Sequence, residues 1–183
     1  MVQLRVRGQG AVGKTTSMST VRQIRSYDYV NHSYDRVRNV LQQNALAVFQ
    51  SATKAATTRA ESVAAELHVD FAGLGLKADI KIVVKNIEEK AADDTSGPST
   101  KLLLEWEAST LPRLFPLMQG ELSVYPLTST ETQLDFCGIY EPPFGAVGKT
   151  MNAIAGHRIA EASVHRFISD VAGYLRRVLD KKR

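Results

Sequence analysis

The chain has a single cysteine, Cys137, so no internal disulfide can staple it, and a lone thiol fits a reducing compartment. No apolar run approaches the ~20 residues that a membrane-spanning helix needs. The first residues, Met1-Val2-Gln3-Leu4-Arg5-Val6-Arg7, are basic without an apolar core, so no secretory signal is expected. Together these absences lead us to expect a cytoplasmic protein. The four histidines, at 32, 68, 157 and 165, contain no i,i+4 pair, and Cys137 has no second cysteine, so no metal site is expected. No Cys–His nucleophile is indicated either, and no cofactor is called for. Aromatics are only 7% of the chain, and no basic patch is interleaved with the stacking rings of a single-strand binder. A specific nucleic-acid partner is therefore not expected.

What is present suits one globular core. The chain is 183 residues long, 44% apolar and 23% charged. Its net charge of +4 is concentrated at the ends: Arg5, Arg7, Lys14, Arg22 and Arg25 lead, and Arg176, Arg177, Lys181, Lys182 and Arg183 close. Such ends suit at most a transient contact with an anionic membrane surface; the plainer reading is that they are solvated. Residues 1–20, rich in Gly, Ser and Thr, read as a flexible leader, and residues 21–183 as one domain. Nothing in the pattern speaks to oligomeric state.

The period of the apolar residues then changes along the chain. Residues 21–31 alternate as a strand, with Tyr27 and Tyr29 on one face and Asp28 and Val30 on the other. Asn31 or Ser33 suits a helix cap. From Tyr34 to about Ala65 the spacing is helical through Val37, Leu41, Ala45, Val48 and Ala52, with Leu46 and Phe49 beside them. Thr57-Thr58 is the expected joint if this helix bends. After Glu66 the period is two. Leu67, Val69 and Phe71 alternate with polar residues, as do Leu76, Ala78, Ile80, Ile82 and Val84, then Leu102, Leu104 and Trp106, then Leu122 and Val124, then Thr132, Leu134, Phe136 and Tyr140. Residues 88–100 read as a charged loop. Strands that follow one another without helical crossovers, each with one apolar face, predict an antiparallel sheet.

From about Gly145 to Leu179 the period is helical again, and a helix of that length spans roughly 50 Å at 1.5 Å per residue. Its apolar stripe shifts. Val147, Met151, Ile154, Ala155 and Ala162 share a face in the first half; Phe167, Val171, Tyr174, Leu175 and Val178 share another in the second. The second half is expected to seal the core and the first half to face a ligand.

Gly8-Gln9-Gly10-Ala11-Val12-Gly13-Lys14-Thr15 matches the phosphate-binding loop G-x-x-x-x-G-K-[ST], in which backbone N–H groups, Lys14 and the Thr15 hydroxyl would hold phosphates and Mg²⁺. Its context argues otherwise. Residues 2–7 do not read as a buried strand, and the helix-like stretch after Thr15 is short. Nucleotide binding through Gly8, Gly13, Lys14 and Thr15 is thus the weaker alternative. The same letters recur at Gly148-Lys149-Thr150, where Pro143 stands in place of the first glycine.

The order strand, helix, antiparallel strands, long C-terminal helix resembles the helix-grip fold of the START-like (SRPBCC) superfamily, including polyketide cyclase/dehydrase-like proteins. The local likeness is carried by residues 115–127, Thr130-Glu131-Thr132-Gln133-Leu134 and Tyr140-Glu141-Pro142-Pro143-Phe144-Gly145. The resemblance implies an α+β architecture in which a curved antiparallel sheet wraps a long C-terminal helix and leaves an elongated pocket. It also implies a hydrophobic small molecule, such as a lipid, sterol or polyketide, as partner. The expected lining is Leu104, Trp106, Phe136 and Tyr140 from the sheet and Met151, Ile154, Arg158, Glu161 and His165 from the helix. Filled core is the alternative for the apolar members, and a solvated charge cluster for the last three. If the chain were instead a cyclase- or dehydratase-like enzyme, Arg158, Glu161 and His165 would form its acid–base cluster, with Glu161 orienting His165.

Overall fold

The computed structural model describes residues 22–66, 80–108, 118–140 and 153–181. The order is β1 (Arg22–Val30), α1 (Tyr34–Glu66), β2 (Ile80–Lys90), β3 (Ser99–Ala108), β4 (Met118–Pro126), β5 (Thr132–Tyr140) and α2 (Ala153–Asp180). The strands form one sheet in the order β1-β5-β4-β3-β2, and every neighbouring pair is antiparallel. This α+β helix-grip architecture is the one expected. The strand-like segment at 67–71, the phosphate-loop letters at 8–15 and 145–150, and the helix start near Gly145 all lie outside the described residues.

Alternation decides which way each strand faces. Ile24 and Val30 of β1 are buried while Tyr27 and Tyr29 are exposed, as their spacing predicts. Ile82, Leu102, Leu104, Leu122, Val124, Leu134 and Phe136 point to the core. The outer face carries ion pairs between strands: Arg25–Asp135, Lys101–Glu121 and Lys85–Glu105. Strand β2 extends to Lys90, further than the charged composition suggested. Glu88 pairs in register with Lys101, so its charge is matched across the ladder, and a bulge falls between Val84 and Asn86. The turn that follows is built on Asp93, whose Oδ1 accepts from the Thr95 and Ser96 amides at 2.9 and 2.8 Å.

Helix α1 opens at Ser33, whose carbonyl accepts from Arg36 and Val37. Its buried stripe is Tyr34, Val37, Val40, Leu41, Ala45, Val48, Phe49, Ala52 and Ala56; Leu46 is exposed instead. The interruption falls at Asn44 (φ −140°, ψ 24°), not at Thr57-Thr58. Asparagine tolerates non-helical backbone better than most residues, whereas Thr58 returns its hydroxyl to the Lys54 carbonyl and stays helical.

Two helices, not one, cover the inner sheet face. The C-terminal helix packs chiefly on α1 and β1, and α1 reaches β2. Val164, Phe167, Ile168, Val171, Ala172, Leu175 and Leu179 are buried, so the second half of α2 does seal the core. Four rings from four elements meet there. Phe167 lies 6.0 Å from Phe49, 5.3 Å from Trp106 and 6.0 Å from Phe136, while Trp106 and Phe136 stack at 5.8 Å.

The end of α2 is tied back to the start of α1. Arg36 donates to the Leu179 carbonyl at 2.7 Å, one of the carbonyls a helix end leaves unpaired, and His32 meets Asp180 at 3.0 Å. Further along the same seam, Arg176 donates to Asp28 at 2.7 Å and to the Tyr29 carbonyl. Asp28 thus places a carboxylate on the inner-facing side of β1, the face it was expected to share with Val30. It is tolerated because a cation meets it.

Candidate functional site

The strand register gathers the candidate residues at one end of the sheet. Arg22, Tyr140, Met118, Trp106 and Ile82 form one inward row across all five strands. The next row is Ile24, Gly138, Gly120, Leu104 and Val84. Two adjacent glycines leave a hollow in the sheet surface, and the Phe136 ring lies down in it. A Cβ at Gly120 would sit 2.3 Å from Phe136 Cζ, and one at Gly138 would sit 2.8 Å from Cε1. Phe136 and Leu104 are therefore fully buried floor, while Trp106 is only partly buried at the edge of that floor.

Facing this row is the first half of α2. At about 100° per residue, His157 falls on the azimuth of Leu175 and Glu161 on that of Leu179, each about five turns earlier. Leu175 and Leu179 are core residues. Yet His157 is only half-buried and Glu161 is exposed, so at its N-terminal end this stripe runs out to the surface. The two polar residues are tied to each other and to the sheet. The Tyr140 hydroxyl lies 3.2 Å from His157 Nδ1, and His157 Nε2 lies 3.3 Å from Glu161 Oε1. The Tyr140 and His157 rings stack nearly parallel, 6° apart, with centroids at 6.5 Å. When the neutral ring carries its proton on Nε2, on the Glu161 side, Nδ1 accepts from the Tyr140 hydroxyl. Tyr140 is 5% exposed, and its burial pushes the phenol pKa above 10.0; Arg22 opposes that shift and Glu161 adds to it. The phenol is thus held protonated at neutral pH.

The other expected residues fall as follows. Glu161 pairs with His157 rather than His165. The Nδ1 of His165 lies 3.4 Å from the hydroxyl of the buried Ser26 instead. The separation does not decide this, since both histidines are four residues from Glu161; the strand partners do, Tyr140 for His157 and Ser26 for His165. Arg158 is exposed, one residue round from His157. Met151 and the Ile154 side chain lie outside the described residues. The helical pattern alone does not place His157, because its neighbour in space, Tyr140, is on β5. The available signal was the azimuth it shares with Leu175. No group of three metal-ligating side chains is found among the described residues, and none of the described helices is long and apolar enough to cross a membrane.

Sheet order, antiparallel register and the helix packed along β1 define a helix-grip protein. No family model and no curated protein matches the chain by sequence. Solved structures do resemble it. A protein from Thermus thermophilus aligns with a TM-score of 0.46 at 9% identity, covering 84% of this chain and 97% of that one. An aromatase/cyclase from a Streptomyces species aligns with a TM-score of 0.40 at 14% identity, covering 87% and 96%. A norcoclaurine synthase point mutant from Thalictrum flavum aligns with a TM-score of 0.43 at 11% identity, covering 90% and 98%. Likeness this distant carries nothing about ligand or reaction.

Proposed function

We propose that the chain binds a hydrophobic small molecule, of the lipid, sterol or polyketide-like kind, between the inner sheet face and the first half of α2. The observation that carries this is the chain Tyr140–His157–Glu161 at the N-terminal end of α2. His157 meets Tyr140, whose row on the sheet continues through Met118 and Trp106. Polar groups at core-facing positions cost stability unless they are partnered. Here the half-buried His157 is partnered by Tyr140 and by the exposed Glu161, at one end of an apolar wall. An apolar lining with a few convergent polar groups is what a small-ligand site requires.

Trp106 is the sole tryptophan and stands in that row, so its fluorescence reports on occupancy. Titration with an apolar probe such as 2-tetralone should quench or shift that emission in a saturable way. Native mass spectrometry of the purified protein should show an apolar adduct that organic extraction removes. A silent Trp106 together with an adduct-free mass would refute the reading.

A further inference from the structure

We propose that Tyr140, His157 and Glu161 form a proton-transfer site, and that its ligand class is an apolar ketone with an acidic hydrogen on the carbon next to the carbonyl. This rests on the binding site proposed above and adds an activity to it.

The geometry suits that chemistry in three respects. First, a donor and a base stand side by side. The Tyr140 oxygen and His157 Nδ1 are 3.2 Å apart. In a ketone the carbonyl oxygen and the adjacent carbon are about 2.4 Å apart, from bond lengths of about 1.23 and 1.52 Å. One ligand can therefore meet both groups at once. Second, the phenol is buried and protonated, so it reaches a ligand oxygen as a donor. Third, the base has a place to put the charge it gains. His157 Nε2 faces the Glu161 carboxylate at 3.3 Å, which stabilises the imidazolium once Nδ1 has taken a proton. His157 is 31% exposed and Glu161 56%, so the proton taken can exchange with water.

The step balances within ligand and protein. The Tyr140 hydroxyl turns from Nδ1 to the ligand carbonyl oxygen. The freed Nδ1 takes the proton from the adjacent carbon. The C–H electron pair becomes the new C=C bond, and the carbonyl π pair moves to oxygen, where Tyr140 holds the enolate by its O–H. Return of a proton from Nδ1 to carbon restores the ketone. In D₂O that proton is replaced by deuterium. Tyr140 and His157 are the catalytic residues. Glu161 is a positioning residue, because it acts through His157.

The test is hydrogen–deuterium exchange of 2-tetralone in D₂O followed by proton NMR, with Trp106 quenching by 2-tetralone measured on the same samples. Positioned acid–base groups contribute about 10²- to 10⁴-fold. The wild-type protein should therefore exceed free imidazole at equal concentration by about a hundredfold or more. Tyr140→Phe keeps the ring stack and should lower exchange at least about tenfold while quenching persists. His157→Gln should do the same, and it decides the matter alone if the tyrosine variant does not fold. Glu161→Gln should lower the exchange rate while quenching persists, with Glu161→Asp restoring part of it. Quenching without accelerated exchange overturns the proton-transfer site and leaves the binding site standing. Exchange that survives both Tyr140→Phe and His157→Gln also overturns it. Neither quenching nor exchange removes both.

Discussion

Gly120→Ala tests whether the Phe136 ring really lies in the sheet's glycine hollow. A methyl group there would stand 2.3 Å from Phe136 Cζ and 2.5 Å from Cε2, well inside carbon–carbon contact. The ring must rise, yet it is stacked under Trp106 at 5.8 Å and abuts Phe167 at 6.0 Å. Neither neighbour can yield without moving a second helix or strand. Overpacking of this kind costs roughly 1–3 kcal/mol. In urea, with a slope of about 2 kcal/mol/M, a loss of ~2 kcal/mol moves the midpoint down by about 1 M. Trp106 fluorescence and far-ultraviolet circular dichroism should report the same shift, since Trp106 rests on the displaced ring. The partner substitution is Phe136→Leu, which empties the hollow. If the clash is the cause, Gly120→Ala should cost far less in the Phe136→Leu background, with a coupling of about 1–2 kcal/mol. A neutral Gly120→Ala, or strict additivity of the pair, would refute the reasoning. Gly138→Ala should be milder, because its nearest contacts, Phe136 Cε1 at 2.8 Å and Met118 Sδ at 3.1 Å, include a thioether that can turn away.

Other outcomes follow from the same contacts. Phe167→Ala empties the meeting point of four rings and should cost about 3–5 kcal/mol in equilibrium unfolding; a loss below ~1 kcal/mol would mean the cluster is not a packed core. Removing Arg176 leaves Asp28 facing the helix alone, so Arg176→Met should be rescued in part by Asp28→Asn, and a calorimetric double-mutant cycle without coupling would rule the pair out. The Glu121 carboxyl is held below its ordinary 4.5, first by the hydrogen bond from Lys101, with burial opposing and Ser123 helping. A depressed folded value means its stabilisation is complete above about 4.5 and is lost as pH falls through the lower folded value. Glu121→Gln should therefore flatten the acid limb of a stability–pH curve, and an unchanged limb would count against the pairing. At pH 7 the same variant should cost little, because surface ion pairs contribute about 0–1 kcal/mol.

Much of the fold was legible in order. The limits of β1, the stripe of α1 and the buried half of α2 follow from periods of two and 3.6, because a side chain's direction is set by its own backbone. The antiparallel sheet follows from uninterrupted two-faced strands. Properties that depend on a partner far along the chain were not legible. Glu88-Glu89-Lys90 reads as loop until Lys101, Thr100 and Ser99 stand opposite. Asp28 reads as a stray charge on an inner-facing side until Arg176 reaches it.

The candidate site divides in the same way. The sequence by itself placed Leu104, Trp106, Phe136 and Tyr140 on one strand face, and put Arg158, Glu161 and His165 on α2. Only the tertiary structure chose between the two histidines flanking Glu161. Helical spacing treats His157 and His165 alike, since each is one turn from that carboxylate. Their difference is the strand residue each one meets: Tyr140 at the end of β5, or Ser26 in β1. That choice depends on how α2 lies along the sheet, a packing of many apolar side chains that no local pattern contains.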